Sequence, residues 1–143
     1  MIGRGKTVLV VDCDEAIRQM LGAALRSFRF ERVVQARTID EAKGALGPGG
    51  TIDLALIDWQ VGDQSGFDLA ADIRTGRVPP RRDLPIIMMS WKAEPKSVLA
   101  AQGLKLNGML IKPLSRDTLE RKIAAALEPP AKTPPNRFLG QAS

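Results

Sequence analysis

TVLVVDCDEAI (7–17) is an apolar run that ends in two aspartates with a cysteine between them. The run reads as a strand. The helical spacing that follows, at Ile17, Met20, Leu21, Ala24, Leu25 and Phe28, predicts a helix over about 14–28. The same alternation recurs along the chain. RVVQA (32–36) leads into Thr38-Ile-Asp-Glu41, which has the form of a capping box, and Gly47-Pro-Gly-Gly50 ends that helix. IDLALI (52–57) is continuously apolar, as expected of a strand covered on both faces, and precedes a helix with Phe67, Ala70, Ala71 and Ile73 turned inward. PIIMM (85–89) is the next such strand, and Glu94-Pro95 opens a helix with proline at its first position. GMLI (108–111) is the fifth, after which Ser115 caps a helix carrying Leu119, Ile123 and Leu127 on one face. Five strands alternating with crossover-length helices predict an α/β, doubly wound parallel sheet with right-handed connections.

The composition narrows the chemistry. There is no histidine, which excludes His-based acid–base catalysis and His-ligated zinc, and a single cysteine excludes an internal disulfide. No apolar run approaches the ~20 residues that cross a bilayer, and no signal-type stretch follows MIGRGKT, so a cytoplasmic protein without membrane contact is expected. The formal charge of +5 permits an acidic partner. The basic residues are scattered, however, and no nucleic-acid-binding signature is present, so no nucleic-acid partner is expected. The basic, proline-kinked stretch TGRVPPRRD (75–83) falls at the amino end of the sheet and is assigned no chemistry. EPPAKTPPNRFLGQAS (128–143) has four prolines and no helical period, so the expected division is a domain over 1–127 and a Pro-rich tail over 128–143.

Ligands of open parallel sheets sit beyond the carboxyl ends of the strands. That rule selects Asp12 after strand one, Asp58 after strand three, Ser90 after strand four and Lys112 after strand five. Taken singly, each has an ordinary alternative. Asp12 or Asp14 could cap the first helix, Asp58 or Ser90 could close a turn, and Lys112 could be a solvated charge. Their convergence on one rim is the stronger expectation.

VLVVDCDE, LALIDW, IIMMS and LIKP, in this order, resemble the receiver domain of two-component response regulators over about residues 5–127. The resemblance implies a flavodoxin-like (βα)5 fold with strand order 2-1-3-4-5. It implies a signalling phosphoprotein, not a turnover enzyme, that accepts a phosphoryl group on Asp58 as an aspartyl phosphate. Asp12, Asp58 and the Gln60 backbone carbonyl would hold Mg²⁺. Lys112 and Ser90 would bind phosphoryl oxygens, and the Lys112–Pro113 peptide would be cis. The implied partners are a histidine kinase or phosphotransfer protein upstream and a protein partner downstream, with a homodimer possible. The Pro-rich end also resembles stand-alone receivers without an output domain.

Several residues depart from that pattern. Cys13 stands where the family has a second acid, and a thiol is a poor ligand for Mg²⁺, so weak metal binding is expected; the ordinary alternative, a small buried filler at a strand end, is compatible with that defect. Trp91 replaces a small residue beside the acceptor, Lys92 replaces a frequent acid, WQVGDQSG (59–66) lacks the usual Pro-Gly turn, and Met109 replaces an aromatic switch residue. Cys13, Trp91 and Met109 support an alternative, a phosphorylation-independent pseudo-receiver that acts as an interaction module. A remoter alternative comes from DCDEA, which resembles the nucleophile motif of haloacid-dehalogenase-type phosphatases with Asp12 as nucleophile and Asp14 as acid. There, Ala16 and the absence of a later acidic pair argue against it.

Overall fold

The ten expected elements are all present in a computed structural model, which describes residues 2–47, 49–79 and 81–128. In chain order they are β1 (Thr7–Val11), α1 (Glu15–Ser27), β2 (Arg32–Ala36), α2 (Ile39–Leu46), β3 (Leu54–Asp58), α3 (Gly66–Arg74), β4 (Ile86–Ser90), α4 (Pro95–Gly103), β5 (Gly108–Ile111) and α5 (Arg116–Leu127). The expected tail, beyond Glu128, lies outside the described residues. The strands form one parallel sheet in the order β2-β1-β3-β4-β5, so the sheet switches direction of growth between β1 and β3. No described helix is long and apolar enough to cross a membrane.

Strand periodicity divides the core into two layers. Leu9, Val11, Ala55, Ile57, Ile86 and Met88 point to the side covered by α2, α3 and α4. Val8, Val10, Leu54, Leu56, Ile87 and Met89 point to the side covered by α1 and α5, where Leu21, Leu25, Leu119 and Ile123 meet them. Both faces of the three central strands are dry, which is why their sequences read as unbroken apolar runs. Each fully buried aliphatic side chain of this kind contributes roughly 1.5–3 kcal/mol.

Helix starts follow their capping residues. Asp14 caps α1 by accepting from the N–H groups of Ala16 and Ile17, Thr38 caps α2, Ser65 caps α3 and Ser115 caps α5. Thr38 Oγ1 accepts from the Glu41 N–H at 3.1 Å, as in a capping box, while the Glu41 carboxylate reaches one residue further back and accepts from the Arg37 N–H at 2.9 Å. Two expectations shift. Met20 is 42% exposed because the inward arc of α1 is filled by Leu21, Leu25 and the adjoining Phe28. β3 begins two residues later than its apolar run, since Asp53 is engaged at the amino edge, where its N–H and carboxylate both bind the backbone of Thr7.

Candidate functional site

The carboxyl ends of β1, β3, β4 and β5 converge because the ladders run in register: Val11 lies beside Ile57, Asp58 beside Met89, and Ser90 beside Ile111. Asp12 follows directly after Val11 and is wholly buried, while Asp58 is 7% and Lys112 4% exposed. The Lys112 ammonium donates to Asp12 Oδ2 at 2.7 Å and to Asp58 Oδ2 at 3.0 Å. β5 lies two strand spacings from β3, or about 10 Å, so the bridging side chain must cross the end of β4. Only a long, flexible arm such as lysine serves at that position.

Local contacts hold each member. Asp12 Oδ1 accepts from the Asp14 N–H at 2.9 Å, and Arg18 from α1 donates to the Asp12 carbonyl at 2.8 Å. The Trp59 N–H donates to the Met89 carbonyl, and the Lys112 N–H to the Ser90 carbonyl, both at 2.8 Å. The Lys112–Pro113 peptide is cis, as the resemblance implies. Burial pushes the Asp58 carboxyl above the ordinary aspartate range, reinforced by the Asp12 charge and opposed by the Lys112 hydrogen bond. Burial alone would pull the Lys112 pKa down, but its hydrogen bonds to Asp12 and Asp58 outweigh that and raise it. Two carboxylates share one ammonium, which leaves one uncompensated negative charge at the bottom of the site.

That charge and the hard oxygens of Asp12 and Asp58 fit a divalent cation, but the donor set is thin. Cys13 is exposed, not the buried filler that was one of its two expected roles. Among the described residues, no three His, Cys, Asp or Glu side chains are arranged to hold a metal. Asp14 caps α1 through Oδ1, which accepts from the Ala16 and Ile17 N–H groups. The Ser90 hydroxyl is turned into its own loop, donating to the Lys92 carbonyl at 3.0 Å and accepting from the Lys92 N–H at 3.2 Å. Lys92 itself is exposed and forms no ion pair among the described residues. Met109 is 5% exposed and belongs to the core.

Three features give geometry to positions that the sequence marked only as departures or did not mark. The Trp91 ring, 61% exposed overall, stands with its centroid 5.4 Å from the Lys112 ammonium, a cation–π arrangement on one flank of the Asp12–Asp58–Lys112 cluster. In place of a Pro-Gly turn, Gln60–Val61 pairs with Gln64–Ser65 in a small antiparallel hairpin, with Gly62 supplying the positive φ of 65° at its tip. Trp59 and Phe67 stack with centroids 4.8 Å apart and tie that hairpin to α3. Each depends on side-chain directions beyond a turn, which spacing alone does not encode.

The chain is similar to known proteins in sequence and fold. The response regulator receiver domain matches residues 8–124. The chemotaxis protein CheY-3 of Vibrio cholerae is 25% identical over 130 residues, covering 90% of this chain and 96% of that protein. The phosphate regulon transcriptional regulatory protein PhoB of Pseudomonas aeruginosa is 29% identical over 123 residues, or 86% of this chain, which spans only 52% of that longer protein. Among solved structures, the non-phosphorylated HemR receiver domain of Leptospira biflexa superposes with a TM-score of 0.76 at 25% identity, covering 90% of this chain and 98% of that one. A two-component response regulator from Clostridium difficile gives 0.73 at 28% identity, covering 85% and 95%. With the family matched across the whole sheet and the rim built at its carboxyl edge, this chain belongs to the response-regulator receiver domains.

Proposed function

We propose that the chain is a phosphorylation switch in which Asp58 is the acceptor. The observation that carries this reading is the buried bridge from Lys112 to both Asp58 and Asp12. A carboxylate oxygen of Asp58 attacks the phosphorus of a phosphohistidine on a kinase or phosphotransfer protein. The P–N bond breaks, and its electron pair leaves with the imidazole. The Lys112 ammonium, already 3.0 Å from the nucleophile's carboxylate, follows the charge onto a phosphoryl oxygen. The Ser90 hydroxyl exchanges its Lys92 carbonyl acceptor for a second phosphoryl oxygen, drawing the loop after β4 inward. Mg²⁺ would be held by the Asp12 and Asp58 carboxylates and the Gln60 backbone carbonyl, supplying positive charge against the transferred group. The new loop population is read by a downstream protein. The chain thus works as a switch in cytoplasmic signalling and not as a turnover enzyme.

Intact-mass measurement after incubation with acetyl phosphate and Mg²⁺ tests this. A single phosphoryl adduct, absent from Asp58→Asn, is the expected result; an adduct that persists in Asp58→Asn refutes the assignment. The exposed Cys13 and the Trp91 flank favour one other reading, a receiver that binds its partner without phosphorylation. No adduct from either acetyl phosphate or a cognate kinase at high Mg²⁺ would select it. Cys13→Asp adds a hard ligand beside Asp12, so it is expected to raise Mg²⁺ affinity by about tenfold or more, read by calorimetric titration. An unchanged affinity would remove Cys13 from the metal site.

A further inference from the structure

A cavity of about 670 Å³ opens at the opposite pole, the amino end of the strands, bordered by Lys6 before β1, Pro85 before β4 and Asn107 before β5. Arg81, Arg82 and Asp83 form one of its walls, and it shares no residue with the Asp12–Asp58–Lys112 cluster. Its volume is that of a pocket for a small organic ligand.

Arg74, at the end of α3, organises this pole. Its guanidinium donates to the carbonyls of Arg82, Leu84, Leu104 and Lys105 and to Asn107 Oδ1, over 2.7–3.3 Å. All these acceptors are neutral, and among the described residues no carboxylate lies within ion-pair distance. Burial holds its pKa below the ordinary arginine value, with Asp83 and Arg81 acting in opposite directions. Half-buried charge is normally paired; here the pairing is left to dipoles, while every N–H is spent on the protein. Arg74 therefore supplies positive charge with no directly paired carboxylate among the described residues and without free donors.

The donors come from its neighbours. Lys6, Arg82 and Lys105 line the cavity and form no ion pair among the described residues. Two of the acids on the wall are already engaged, Asp83 with Arg81 at 2.9 Å and Asp53 with the Thr7 N–H at 2.8 Å. Glu128 stands at the rim. Lys6 and Lys105 enter from the β1 and β5 ends, three strand spacings or about 14 Å apart, which suits an extended anion better than a single phosphate. Pro85, Ala126 and Leu127 add an apolar wall.

We infer that this pole is a second binding site, independent of the acceptor pocket, for a small diphosphate-bearing molecule of the nucleoside diphosphate class. Lys6, Arg82 and Lys105 bind the phosphates through charge-assisted hydrogen bonds, and the apolar wall receives the organic moiety.

Calorimetric titration of the full chain with ADP and with pyrophosphate, in EDTA at 0.1 M salt, tests the inference. The expected result is one ADP site, with pyrophosphate weaker for want of the apolar contact. Arg82→Glu combined with Lys105→Glu, both on exposed side chains, should weaken ADP by about tenfold or more with an unchanged thermal midpoint. Glu128→Gln should strengthen it, and Asp58→Asn should leave it unaltered. Absence of binding, or binding indifferent to the charge reversals, overturns the site. A single-stranded oligonucleotide that displaces ADP and binds more tightly overturns the ligand class in favour of a nucleic acid.

Discussion

At the scale of single residues, Lys112 has the largest energetic role. Removing its ammonium leaves Asp12 and Asp58 buried and repelling one another. Lys112→Ala is expected to cost about 3–5 kcal/mol in urea unfolding at neutral pH, and less in acid, where Asp58 protonates. Asp58 behaves oppositely. Its carboxyl is raised above its ordinary value of 3.8, so the folded state holds the proton more tightly than the unfolded chain does. Its protonated form favours folding below that value, and this contribution is lost as pH rises through the raised one. Asp58→Asn should therefore be more stable than the native chain at neutral pH, with the gain vanishing below about pH 3.8. Equal stability at pH 7 would contradict the buried, underpaired acid. Asp58 and Lys112 were legible in the sequence because each closes an apolar strand. The orientation of Ser90 was not, since a hydroxyl chooses among several near acceptors.

At the scale of elements, the join between β3 and α3 is the tightest. A Cβ on Gly66 would lie 1.8 Å from the Asp58 carbonyl oxygen and 2.9 Å from the Ile57 side chain. Gly66→Ala must push α3 away from the strand that carries Asp58, and is expected to cost about 1–3 kcal/mol and, under the proposed function, to slow phosphoryl uptake. Native stability and uptake in that variant would mean that α3 can slide freely. The hairpin between them shows why WQVGDQSG reads poorly as a sequence. Its two rungs are short, and the Trp59–Phe67 stack that fixes them joins residues from different elements. Helix starts were readable by contrast, because Asp14, Thr38 and Ser115 each cap a helix through contacts two or three residues away.

Over the whole molecule, chemistry is separated between two ends of one sheet. The carboxyl edge carries buried acids bridged by Lys112, and the amino edge carries the cations gathered around Arg74. Arg74 ties α3 to the loops entering β4 and β5, so Arg74→Ala is expected to lose at least about 2 kcal/mol and to open the amide of Ile86 to exchange. Unchanged exchange there would show that Asn107 holds the strand entry unaided. The basic stretch at 75–83 was visible as composition, but not the placement of Arg81, Arg82 and Asp83 as one wall of a cavity. Its facing walls come from β1, β5 and α5, far away along the chain.

The order of strands and helices, the caps and the identity of the rim residues were determined by the sequence itself, because apolar periodicity and capping act over a few neighbouring positions. Tertiary structure alone decided that one lysine serves two aspartates, that Trp91 stands beside that lysine, that Cys13 faces solvent and that Arg74 is fully engaged by neutral acceptors. Those outcomes depend on distances between residues up to 100 positions apart, which are settled only when the sheet brings its strand ends together.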